Sequence, residues 1–146
     1  MKDHLKNLVA EHSDPMSIKN TAREYLQARI LQSLQEQGAF TQWAFLGGTA
    51  LRFLFRLPRY SEDLDFSAVQ PVSKDNFLKQ IQKIKTSLER ETYTVDIKAR
   101  ASGAVASAFV KFRGLPFEMG TSPHESEALS IRVEVDTNPP AGADTE

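Results

Sequence analysis

Apolar residues along the chain recur with two different periods, and each period predicts a different kind of element. Between Ser13 and Gln37 they fall every three or four positions, at Ile18, Ala22, Tyr25, Leu26, Ile30 and Leu34, which is one stripe of an amphipathic helix. Ser13-Asp14-Pro15 opens that helix with a capping side chain and a proline in the first turn, and Gly38 closes it. The same period returns after Pro71-Val72-Ser73, with Ser73 as cap and Phe77, Ile81, Ile84 and Leu88 on one face. Leu5, Leu8 and Val9 predict a short helix within residues 1–12. From residue 92 the period drops to two. Tyr93, Val95, Ile97 and Ala99 alternate with polar residues, as do Ala106, Ala108, Val110 and Phe112 within 104–113, and Ile131, Val133 and Val135 within 130–136. These are half-buried strands, the first two joined as a hairpin through Ser102-Gly103. Trp43–Leu46 and Asp63–Phe66 read as two further strands, and residues 114–126 as loop. The succession predicts an α+β (α/β) domain, a mixed β-sheet with helices packed against it.

The stretch from 46 to 66 breaks both periods, and it concentrates the candidate chemistry. Gly47 and Gly48 follow a strand and allow the backbone to approach a ligand closely, although a plain strand-to-helix turn would use the same residues. A short helix over Ala50–Arg56 places Leu51, Leu54 and Phe55 toward the core, and its first turn offers free N–H groups to a phosphate. Thr49 can cap that helix or bind phosphate through its hydroxyl. After the turn at Leu57-Pro58-Arg59-Tyr60-Ser61, Asp63 and Asp65 lie two apart on a strand and so face the same side. Two carboxylates that close repel unless a cation lies between them, and one or two Mg²⁺ (or Mn²⁺) ions would satisfy the pair. Ser61 fits either a phosphate contact or a turn cap, and Arg59 either a triphosphate contact or a pair with Glu62.

Composition narrows the classes. With 146 residues, 40% hydrophobic and 25% charged, the chain suits one domain with a sizeable core. A formal net charge of -1 gives no global basic footprint, so a nucleic acid would need a local patch or metal ions. Lys74, Lys79, Lys83 and Lys85 are dispersed around their helix and read as a solvated surface. The absence of cysteine excludes disulfides and thiolate metal sites. No apolar run approaches the length of a membrane span and no signal peptide opens the chain, so no membrane partner is expected and cytoplasm is the expected location. His4, His12 and His124 have no ligand-like spacing, and neither a Gly-x-x-x-x-Gly-Lys loop nor a Gly-x-Ser-x-Gly elbow occurs.

Gly47-Gly48-Thr49 followed by Arg59-x-Ser61-x-Asp63-Leu64-Asp65 resembles the signature of DNA polymerase β-like nucleotidyltransferases. The fuller run, Gly-Gly-Thr-Ala-Leu-Arg through Leu-Pro-Arg-Tyr-Ser-Glu-Asp-Leu-Asp-Phe, is similar to the AbiEii/AbiGii toxin family. The dense match covers about 20 residues. It implies Mg²⁺-dependent transfer of a nucleoside monophosphate from a nucleoside triphosphate (NTP) to an acceptor, with RNA, tRNA 3′ ends foremost, as the acceptor. It further implies a bacterial toxin–antitoxin or phage-defence role and a cognate antitoxin protein. On this reading Gly47, Gly48, Thr49, Arg59 and Ser61 bind the triphosphate, and Asp63, Asp65 and a third carboxylate hold the metal and carry catalysis. The family favours the last strand for that third group. Glu134, flanked by Val133 and Val135, is preferred; Asp136 at the strand end and Asp96 remain alternatives.

Family members are about twice this long, with a helical C-terminal half that adds a lysine and acidic residues to the site. The expected organisation is therefore a nucleotidyltransferase-like domain over 1–136, its N-terminal helices at 1–38 and its core at 39–136. An extended tail at 137–146 would begin the linker to a further half. The alternative is a non-catalytic nucleotide- or protein-binding module, lacking one wall of the cleft.

Overall fold

In the computed structural model, residues 2–38, 43–46, 63–68, 73–102 and 105–136 are described. Helix α1 (Lys2–Val9) and helix α2 (Pro15–Glu36) lead into strand β1 (Trp43–Leu46) and strand β2 (Asp63–Ala68). Helix α3 (Lys74–Glu89), the hairpin of β3 (Val95–Ser102) and β4 (Val105–Arg113), the single turn α4 (Leu115–Glu118) and strand β5 (Ala128–Asp136) follow. The predicted helix over Ala50–Arg56, the turns at 57–61 and Gly103, and the tail at 137–146 lie outside the described residues.

Local chemistry sets the helix ends. The Asp14 carboxylate accepts the Ser17 N–H at 2.9 Å with Pro15 in the first turn, and the Ser73 hydroxyl accepts the Asn76 N–H at 3.1 Å. Gly38 follows α2 with φ +75, a left-handed conformation that favours glycine. One correction falls in the predicted loop at 114–126, where α4 forms. Gly114 turns the chain at φ +80, and a Cβ there would come within 3.3 Å of the Glu125 carbonyl. Pro116 then sits in the first turn of a helix too short to show any period.

The five strands form one mixed sheet in the order β1-β2-β5-β4-β3. Among the described residues only β2 and β5 run parallel; the other neighbours are antiparallel. Alternation is strict along β5, where Leu129, Ile131, Val133 and Val135 are buried and their neighbours are not. Leu64, Phe66, Ala106, Ala108, Val110 and Phe112 share that buried side. They meet Phe77, Ile81, Ile84 and Leu88 of α3 and Ala22, Leu26, Ile30 and Leu34 of α2 in one core, and α1 adds Leu5 and Val9. Burial of this area supplies the main drive to fold. It also decides the site, because a strand that commits its apolar residues to one face must present the intervening residues on the other.

Candidate active site

The residues left on the far side of the sheet are the polar ones of β2 and β5. Asp63 is level with Arg132, and Asp65 with Glu134, across the parallel pair. Leu64 and Val133, the register pair between them, are both fully buried and fix which way their neighbours point. Adjacent strands lie about 4.8 Å apart, so Asp65 and Glu134 are neighbours on one face, near enough to share a ligand. Asp136 stands one pleat further on, level with Ser67. Asp65, Arg132, Glu134, Asp136 and Val105 line an open concavity of ≈ 350 Å³ on this face. Asp96 is elsewhere: it lies on β3, separated from β2 by both β5 and β4, with its carboxylate 3.5 Å from Arg113. That removes it as a third carboxylate.

Arg132 is the residue that sequence reading did not single out. Its Nη2 donates to Asp63 Oδ2 at 2.9 Å and lies 3.5 Å from Glu134 Oε2. The guanidinium therefore supplies positive charge between two carboxylates on neighbouring strands, Asp63 and Glu134, and lowers their mutual repulsion. Its place in the alternation Arg132-Glu134-Asp136 was the available signal.

Whether these side chains suit a divalent cation can be asked of the donor set. Asp63, Asp65 and Glu134 offer only hard carboxylate oxygens, on one face and open to solvent, which is the donor type Mg²⁺ and Mn²⁺ take. Among the described residues no three such ligands are already closed around one point. The Arg132 guanidinium lies against two of the three, Asp63 and Glu134, and a bound cation would displace it. Its buried Nε has no hydrogen-bond partner among the described residues, so the guanidinium is held there through Nη2 alone. The set fits a hard cation. Gly47, Gly48, Thr49, Arg59 and Ser61 lie outside the described residues. Among the described residues no helix is long and apolar enough to cross a membrane.

Residues 29–146 match the family described as nucleotidyl transferase AbiEii toxin, Type IV TA system. Two solved structures from Helicobacter pylori share the fold. One carries the provisional description of nucleotidyltransferase and superposes with a TM-score of 0.56 at 20% identity, over 82% of this chain and 45% of its own. The other, JHP933, gives 0.54 at 21% identity, over 80% and 43%. The chain thus spans less than half the length of these structures. No curated protein matches the chain significantly.

Proposed function

The chain belongs to the AbiEii nucleotidyltransferase toxin family, and on that footing we propose that it is the metal-binding core of an enzyme that transfers a nucleoside monophosphate from an NTP to a polynucleotide hydroxyl. The observation that carries this reading is the register of β2 and β5, which sets Asp65 opposite Glu134 with Asp63 on the same face. Asp63, Asp65 and Glu134 would hold Mg²⁺ or Mn²⁺. The ion, when bound, neutralises phosphate charge and orients the triphosphate. The acceptor oxygen bonds to the α-phosphorus, the bond from that phosphorus to the β-phosphate oxygen breaks, and pyrophosphate leaves. Glu134, on the strand that borders the open face, is placed to receive the hydroxyl proton. Gly47, Gly48 and Thr49, with Arg59 and Ser61, are assigned to the triphosphate on sequence alone. A toxin's role and an antitoxin partner are supported by the family's Type IV description, and RNA as acceptor by the resemblance alone.

A second reading has one specific observation behind it. Arg132 pairs with Asp63 and Glu134 without any metal ion, as a non-catalytic binding module would allow. Incubation with an NTP labelled at the α-phosphate, an RNA acceptor and Mg²⁺ separates the two. The first reading expects label on the acceptor, lost in Asp63→Asn and Asp65→Asn. No transfer from any NTP favours the second, and transfer that persists in both variants contradicts the roles given to Asp63 and Asp65.

A further inference from the structure

The open face continues beyond the carboxylates onto β4 and β3, and its character changes. Register lines run straight across the sheet. Asp63 leads to Arg132, then Phe109, then Lys98; Asp65 leads to Glu134, then Ser107, then Arg100. The acidic end is on β2 and β5, and the cationic end on β3. Lys98 and Arg100 are exposed and carry no ion pair among the described residues, whereas Asp96 beside them is neutralised by Arg113 at 3.5 Å. Between the two ends sits an apolar surface, Phe109 at 38% exposure and Val105 at 40%.

Charge at an edge strand is ordinarily a guard against edge pairing, which would explain Lys98 and Arg100. It does not explain Phe109 and Val105. Both lie on β4, an interior strand flanked by β5 and β3, where an exposed aromatic ring protects no edge. A ring beside a row of cations is instead the arrangement that binds a single strand, with a base stacked on the ring and phosphates beside the cations. From β2 to β3 is three strand spacings, about 14 Å, within reach of a short run of nucleotides.

We propose that the β4–β3 face is a track for a single-stranded polynucleotide, with Phe109 as the stacking platform and Lys98 and Arg100 as phosphate contacts. It leads the strand's terminal hydroxyl to the carboxylates of β2 and β5. The direction of the track rests on the nucleotidyl-transfer reading; binding itself does not.

The test is fluorescence anisotropy on the 146-residue chain without nucleotide, using short fluorescein-labelled oligouridylate and oligodeoxyuridylate. The parent binds at least one of them, and preference between the two identifies the sugar recognised. Phe109→Ala weakens binding roughly 5- to 140-fold, the range for loss of one stacked base, and Phe109→Tyr retains it. Lys98→Ala/Arg100→Ala reduces the slope of log K against log salt by about 1.4, at roughly 0.7 per single-strand phosphate contact. Asp65→Asn binds the strand at least as tightly as the parent while losing transfer, so failure of the catalytic reading leaves this result intact. Circular dichroism verifies that each variant is folded. A parent that binds neither oligonucleotide, as a face made for an acidic protein would behave, overturns the proposal. So do folded variants that bind with the parent's affinity and salt slope.

Discussion

Asp65 and Glu134 stand opposite one another across the parallel pair of β2 and β5, although they are far apart in sequence. What aligns them is apolar: Leu64 and Val133, each fully buried and level with one another, hold the two strands in the one register that keeps both inside the core. A slip of one residue would send every carboxylate into the core and every valine into water.

The floor beneath the site should therefore be sensitive to volume. Leu64→Ala removes a fully buried side chain and is expected to cost about 2–5 kcal/mol. Urea denaturation measures it directly. A loss under about 0.5 kcal/mol, the level of an ordinary surface change, would mean that Leu64 does not anchor the strand.

Arg132 should behave as a stand-in for the cation. With chelator present, Arg132→Gln removes the counter-charge from Asp63 and Glu134 and is expected to lower stability by about 1 kcal/mol, a modest figure because these side chains are partly exposed. Added Mn²⁺ should close most of that gap, since the metal takes over the same neutralisation. Melting curves with and without metal show whether the deficit is metal-dependent; a constant deficit would separate Arg132 from the ion.

Acid stability should depend on a pair remote from the site. The Arg29 guanidinium donates to Glu91 through Nη2 and also through Nε at 3.1 Å, joining α2 to the turn after α3. Burial pushes the Glu91 carboxyl up, but hydrogen bonding, that of Arg29 included, outweighs it and leaves the group below its ordinary value of 4.5. A carboxyl with a depressed folded pKa adds stability above its unfolded pKa and loses it as the pH falls through the folded one. Glu91→Gln is thus expected to destabilise the protein at neutral pH, with the difference from the parent fading below pH 4.5. Parallel stability–pH profiles for the two proteins would rule this out.

The sheet and its helices were legible in the sequence because their signals are periodic. Phe77, Ile81, Ile84 and Leu88 predict a helix face that is wholly buried, and Ile131, Val133 and Val135 predict a strand whose other side is polar. Helix α4 was not legible, since four residues cannot display a period of 3.6 and Pro116 reads locally as a breaker. The carboxylates were found by alternation and resemblance, but strand order was not available from either. Only the sequence β2-β5-β4-β3 shows that Asp96, equally well placed along its own strand, is three strands from Asp63. Arg132 escaped notice because a cation two residues before an acid on a strand face is common. It gains significance only from the parallel pairing that sets it level with Asp63.

The proposed function requires that Asp65 and Glu134 bind a divalent cation between β2 and β5. Electron paramagnetic resonance counts free Mn²⁺ and so titrates the site without any substrate. The parent should bind Mn²⁺, and Asp65→Asn and Glu134→Gln should each weaken it by at least about tenfold, the lower bound for losing even an outer partner of a metal ligand. Asp136→Asn, one pleat away, should change it far less. A parent that leaves Mn²⁺ free, or a Glu134→Gln protein that binds it as the parent does, would contradict the account.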